Sequence, residues 1–192
     1  MVFIEDAGEH FIQTNIELVM RLLKYLVAMS LDGFLAGPNG EYDWIVMDPA
    51  IDFTAIYKDF DIALMGRRTY ELACQGPGAI LPGMQTVVCS RTLVPDEHPK
   101  VIVTAAAVST VLELKQKPGK NIWLFGGGIL FRNLLDAGLV DTVEVSLMPI
   151  LLSEGVPLLP AGRRSPQLRL VSNKIMPGGS VALTYQVEQT SG

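Results

Sequence analysis

A chain of 192 residues fits one domain and can bury a substantial core. Hydrophobic residues at 49% and charged residues at 18% exclude a disordered chain, and no apolar run approaches the roughly 20 residues of a bilayer span. A net charge of −5 excludes a broad nucleic-acid footprint, although an acidic protein can still grip a phosphorylated ligand by gathering arginines and helix N-termini locally. The start of the chain lacks the basic-then-apolar pattern of a leader, so a soluble cytoplasmic protein is expected. Cys74, Cys89, His10 and His98 have neither the number nor the spacing of a zinc site; no metal is expected, and both thiols read as small core hydrophobes.

Residues 1–19 mix charged and apolar side chains without a sustained period. They read either as an extension ahead of a natural start at Met20 or as a short helix from Glu9 to Val19, with one domain expected over 20–190. Leu22 to Met29 has the length and composition of a buried strand, and Ser30 to Gly33 with Gly37-Pro38-Asn39-Gly40 is turn chemistry. Asp48 before Pro49 is the pattern of a helix N-cap, with Ile51, Ala55 and Ile56 on one face to about Phe60. Ile62 to Met65 is a short buried strand, followed by a helix opened by Gly66-Arg67-Arg68-Thr69-Tyr70 and stopped near Gly76-Pro77. Thr86 to Cys89 and Val101 to Val103 read as strands, Val108 to Lys117 as a helix, and Asn121 to Phe125 as a strand. Gly126-Gly127-Gly128 then leads into a helix over Ile129 to Ala137. Asp141 to Met148 alternates like a half-exposed strand, and Pro177-Gly178-Gly179 joins Leu168 to Met176 and Val181 to Glu188 as a hairpin. The expected fold is therefore α/β, with three layers: a mainly parallel central sheet, helices on both faces and a C-terminal antiparallel hairpin.

Ligands of open α/β sheets bind beyond the carboxyl ends of the strands, and three segments place glycine, hydroxyl or arginine there. Gly126 to Gly128 would let a ligand approach the backbone at the positive end of a helix. The triplet equally suits a tight turn, and it lacks the spacing of the usual dinucleotide fingerprint. Arg67 or Arg68, with the Thr69 hydroxyl, falls in the first turn of a helix, where a cation is unfavourable unless an anion meets it. Ser90 and Arg91 offer a hydroxyl and a fork of donors suited to a phosphate monoester.

Four stretches together carry a resemblance: VAMSLDGFLAGPNGEYDW (27–44), DIALMGRRTYE (61–71), LPGMQTVVCSR (81–91) and the long run from NIWLFGGG to PLLP (121–160). The chain resembles the dihydrofolate-reductase-like superfamily, in particular stand-alone relatives of the C-terminal reductase domain of RibD, the riboflavin-biosynthesis enzyme. The resemblance implies NADPH as cofactor. Gly66, Arg67 and Thr69 would hold the dinucleotide phosphates, with Ser90 and Arg91 at the adenosine 2′-phosphate. Gly126, Gly127, Gly128, Ile129 and Leu130 would lie under the pyrophosphate, Ala28 against the nicotinamide carboxamide and Leu35 on the loop covering the ring. It implies Trp44 beside the substrate, a small-molecule substrate of heterocyclic or ribosylamino-pyrimidine type, and a homodimer. Folate enzymes carry a carboxylate on the first helix; Asp52 lies near that position and Asp48 competes with it. Asp32 and Asp52 are the candidate catalytic acids, with ordered water as a third proton source, a turn as the other role for Asp32 and an exposed helix carboxylate as the other role for Asp52. Dihydrofolate reduction, or nucleotide binding without chemistry, are the alternative functions. Arg163 and Arg164 are candidates for a second anion site if the substrate is a phosphosugar. The zinc-deaminase pair H-x-E and P-C-x-x-C, often fused to the riboflavin enzyme, does not occur in this sequence.

Overall fold

The structure is a computed structural model and describes residues 20–46 and 51–188. In chain order its elements are β1 (Leu23–Ser30), β2 (Phe34–Ala36), α1 (Phe53–Lys58), β3 (Phe60–Gly66), α2 (Arg67–Ala73), β4 (Gln85–Cys89), β5 (Ile102–Thr104), α3 (Ala107–Gln116), β6 (Asn121–Gly126), α4 (Gly128–Asp136), β7 (Thr142–Met148), β8 (Val156–Pro157), β9 (Leu168–Ile175) and β10 (Val181–Val187). Eight strands form one sheet in the order β5-β4-β3-β6-β1-β7-β10-β9. The first six in that order run parallel, and β10 and β9 close the sheet as an antiparallel hairpin. β2 and β8 pair separately from it.

The two-residue period of a strand builds the layers. Ile62, Leu64, Val87, Ile122 and Leu124 share a core with Val111 of α3 and with Phe131, Leu134 and Leu135 of α4. Their sequence neighbours Ala63, Met65, Val88 and Trp123 share a second core with Tyr70 of α2 and with Ile56 and Tyr57 of α1. Each large apolar side chain taken from water contributes about 1.5–3 kcal/mol, so these two cores, rather than the short helices themselves, hold the three layers together. Tyr25 of β1 stacks on Phe131 of α4 with ring centroids 3.9 Å apart. Its hydroxyl is buried without a hydrogen-bond partner, and desolvation pushes its pKa well above the ordinary tyrosine value.

Several local expectations change. Asp48 and Pro49 lie outside the described residues, as does the whole of 1–19. The cap of α1 is Asp52, whose carboxylate accepts from Ala55 N at 3.0 Å, and the helix ends at Lys58 because Phe60 already belongs to β3. Cys74 is exposed at the end of α2, not a core residue; Cys89 is half-buried, and burial pushes its thiol up to about 11. β2 and β8, at 3 and 2 residues, are too short to show any period, and nothing in the sequence pattern announced them. Among the described residues no helix is long and apolar enough to cross a membrane.

Candidate functional site

Parallel strands send all their carboxyl ends to one rim, and the register says which residues meet there. Gly66 lies opposite Cys89, Cys89 opposite Thr104, Met65 opposite Gly126, and Ser30 opposite Met148. The three turns singled out for an anionic ligand, 66–69, 90–91 and 126–128, therefore share one edge of the sheet.

Between β1 and β6, pairing stops short of that edge. β1 pairs with β6 only from Leu23↔Ile122 to Tyr25↔Leu124, whereas its pairing with β7 continues to Ser30↔Met148. The sheet parts between β1 and β6 toward the rim. Where the strands part, Trp123 donates its indole N–H to the Leu26 carbonyl at 2.9 Å. Ala28, half-buried opposite Ser146, flanks the opening. Crevices of this kind, beyond the carboxyl ends of parallel strands, are where such sheets bind ligands.

The glycine turn forms the other wall. Gly126 has φ +143°, a conformation L side chains rarely adopt, and the Gly126–Gly127 peptide is cis. A Cβ on Gly127 would lie 3.2 Å from Thr69 Oγ1, and one on Gly66 would lie 3.8 Å from Gly127 N. Gly66, Thr69 and the turn are thus brought into contact. No side chain caps α4, and the bond from Phe131 N to Gly127 O at 3.0 Å opens its ladder, so the amides of Gly128, Ile129 and Leu130 have no partner within the helix. The missing side chain of Gly128 has a different reason. A Cβ there would sit 2.7 Å from the Pro157 carbonyl oxygen and 3.1 Å from that of Leu158, so packing of the 149–160 segment on α4 requires this glycine. Ile129 is 73% exposed at the helix start, while Leu130 is buried in the core below it.

The cations divide. Arg67 is paired with Glu71 at 2.8 Å on the surface of α2. Ser90 shapes its own turn, its hydroxyl accepting from Thr92 N at 3.1 Å and Leu93 N at 3.0 Å. Arg68 and Arg91 are exposed, and neither has an ion-pair or hydrogen-bond partner among the described residues. Arg163 and Arg164 are exposed in a segment that runs beside α4, with the Arg163 carbonyl held by Arg132 Nη1 at 3.0 Å.

Both candidate acids have structural work. The Asp32 carboxylate accepts from Ser30 Oγ at 2.6 Å, Leu152 N at 3.1 Å and Ser153 N at 2.7 Å. These donors, Ser30 foremost, hold its carboxyl below the usual carboxylate range. Asp52 is exposed and caps α1. Trp44, whose indole N–H donates to the Glu41 carbonyl at 3.1 Å, lines a cavity of about 190 Å³ with Val46, Met148, Pro149, Ile150 and Ser180. Leu35 sits half-buried in β2. Sequence reasoning included 149–160 in the stretch that carries the resemblance but gave it no role, since no local period marks its contacts: a Cβ on Gly155 would collide with the Ala36 carbonyl oxygen, so β2 can approach only a glycine there.

A mainly parallel sheet split at its carboxyl rim, walled by a glycine turn and closed by a hairpin, is the dihydrofolate-reductase-like fold. Dihydrofolate reductase from Enterococcus faecalis, solved with NADP(H) and RAB-propyl, matches with a TM-score of 0.63 and 19% identity over 88% of this chain and 97% of its own. A Shewanella sp. PV-4 protein named provisionally for riboflavin biosynthesis matches with a TM-score of 0.72 and 24% identity over 88% of this chain and 99% of its own. The chain belongs to the RibD C-terminal domain family, which matches residues 21–182. Uncharacterized protein YyaP of Bacillus subtilis (strain 168) is 32% identical over 171 residues, 83% of this chain and 91% of that protein.

Proposed function

We propose that this protein is an NADPH-dependent reductase acting on a small heterocycle of the ribosylamino-pyrimidine kind. The observation that carries the reading is the opening between β1 and β6, with Ala28 on one side and Gly66, Thr69 and the Gly126–Gly127 turn on the other. The residues fit the cofactor: a turn of glycines beside Thr69, three helix-start amides without helical acceptors and the exposed guanidiniums of Arg68 and Arg91 suit a phosphorylated dinucleotide. NADPH, when bound, supplies the hydride; the protein positions the reactants and limits access of water. In this reading the Gly128–Leu130 amides hold the pyrophosphate, Arg91 with the Ser90 hydroxyl reads the 2′-phosphate, and the substrate lies against Trp44 and Ile150. Both carboxylates being spent on structure, the proton is assigned to solvent water.

Two alternatives keep a place. Nucleotide binding without chemistry is favoured by a cavity wall that carries no carboxylate among the described residues. Dihydrofolate reduction would require Asp52 to leave its cap. The same proposal includes a homodimer, supported by β9, an edge strand exposed along its length with Leu168, Leu170, Val171 and Ile175 at the surface; light scattering in solution tests it.

NADPH at about a hundred times its Kd should raise Tm by roughly 5–10 °C, and oxidation of NADPH with pyrimidines and pterins should separate enzyme from binder. Charge-assisted bonds of about 1.5–3 kcal/mol each should favour NADPH over NADH on the order of a hundredfold. Arg91→Ala should narrow that ratio while leaving NADH binding nearly unchanged; equal loss of both cofactors would remove Arg91 from the 2′-phosphate site.

A further inference from the structure

The 149–160 segment forms a strap across the rim. At its start Pro149 and Ile150 wall the cavity, and toward its end the Pro157 and Leu158 carbonyls press on Gly128 at the head of α4. It is tied to the β1–β2 corner at every turn. Leu31 N donates to Ile150 O and Leu158 N to Gly33 O, both at 2.8 Å, and Phe34 and Ala36 pair with Pro157 and Val156. Asp32 is the ionic centre of these ties, taking the Leu152 and Ser153 amides on one side and the fully buried Ser30 hydroxyl on the other; that hydroxyl in turn accepts from Phe34 N at 2.9 Å. Ser153, the residue it grips at 2.7 Å, is held at φ +68°, a left-handed conformation unfavourable for a serine.

We propose that Asp32 is a positioning residue: its carboxylate latches the strap onto the β1–β2 corner and so sets the cofactor turn and the substrate cavity in place together. The ligand half of this proposal rests on the reductase reading; the latch itself does not. Removing the carboxylate leaves two amides and a hydroxyl without their acceptor, and the strap loses the contact that holds Ser153 in its left-handed conformation. The effect on turnover arises through the strap, because every acceptor site of Asp32 that the structure shows in use points at the protein's own donors.

The test is amide hydrogen exchange on the full chain, paired with steady-state kinetics, for Asp32→Ala, Asp32→Asn and Ser30→Ala. In Asp32→Ala, exchange at Leu152, Ser153 and 34–36 should quicken by roughly tenfold or more. KM for NADPH should rise about tenfold with kcat changed less than about threefold, the pattern of lost ground-state binding. Asp32→Asn should fall between wild type and Asp32→Ala, because an amide oxygen still accepts from both N–H groups; a proton donor would lose kcat equally in the two variants. Ser30→Ala, which removes one donor, should show the same exchange pattern more weakly and covers failure of Asp32→Ala to fold. Unchanged exchange at 152–153 in Asp32→Asn and Ser30→Ala overturns the latch. A collapse of kcat common to Asn and Ala, with KM unchanged, overturns the positioning role in favour of acid catalysis. If NADPH fails to bind wild type, the reductase reading and the ligand half fall together, while exchange still decides the latch.

Discussion

The two rims of the sheet are built from similar residue types and treat them in opposite ways. At the amino ends of the strands, Arg21, 4% exposed, pairs with Asp61 and donates to the Lys120 carbonyl at 2.5 Å. Lys24 pairs with Asp59 at 2.6 Å, Lys115 with Asp141 at 2.5 Å, and Asn121 accepts from Leu22 N at 3.0 Å. Every one of these groups is consumed inside the molecule. At the carboxyl ends, Arg68 and Arg91 have no partner among the described residues, and three helix-start amides lack helical acceptors. Three groups on this rim are already engaged: Arg67 pairs with Glu71, the Ser90 hydroxyl accepts from Thr92 N and Leu93 N, and Asp32 serves the strap rather than a ligand. Polar satisfaction, not polar composition, separates a rim that stabilises from a rim that can bind.

The sharpest way to break this contrast is Asp61→Ala at the amino rim. It strands the buried Arg21 guanidinium and should cost about 2–4 kcal/mol in urea unfolding, Asp61 being partly exposed. NADPH affinity of the folded protein should stay within about twofold; a parallel loss of affinity would show that the rims are not separable. Gly128→Ala comes next. Its methyl would meet backbone oxygen at 2.7 Å, so overpacking should cost about 1–3 kcal/mol and should also weaken NADPH binding, because the strap must shift. Ile129→Ala, one residue on and 73% exposed, should stay within about 0.5 kcal/mol.

The smallest effect is in pH. The Asp32 carboxyl is depressed in the folded state, so its contribution to stability is present above the unfolded value of about 3.9 and is lost as pH falls through the lower folded value. The difference in unfolding free energy between wild type and Asp32→Asn should therefore be flat above about pH 5 and shrink below about pH 4. Glu41, held down chiefly by Asn39, contributes with the same sign in both proteins and cancels from that difference. A difference that grew on acidification would contradict the bonding seen around Asp32.

Much of the core was legible because local period reports burial. Ile62 to Met65 reads as an uninterrupted apolar run since both of its faces are covered, and the C-terminal hairpin showed itself through Pro177-Gly178-Gly179. The rim residues were legible as types: glycine, hydroxyl and arginine at strand ends. Their roles were less so. Arg67 is taken by Glu71 one helical turn away, and Asp52 serves as a cap once α1 starts at Phe53. The bonds from Leu152 and Ser153 to Asp32 join residues 120 and 121 positions apart, beyond the reach of any local pattern.

By itself, the sequence determined the alternation of strands and helices, the apolar faces that make two cores and the glycine-rich chemistry of the strand ends, since these depend on neighbours within a few residues. Only the tertiary structure decided that β1 and β6 part at the rim, that Gly128 yields space to a strap and that the exposed Asp32 carboxylate meets the Leu152 and Ser153 amides of that strap. Register and contact between distant segments are set by packing of the whole sheet, and a side chain's use depends on which partners that packing delivers to it.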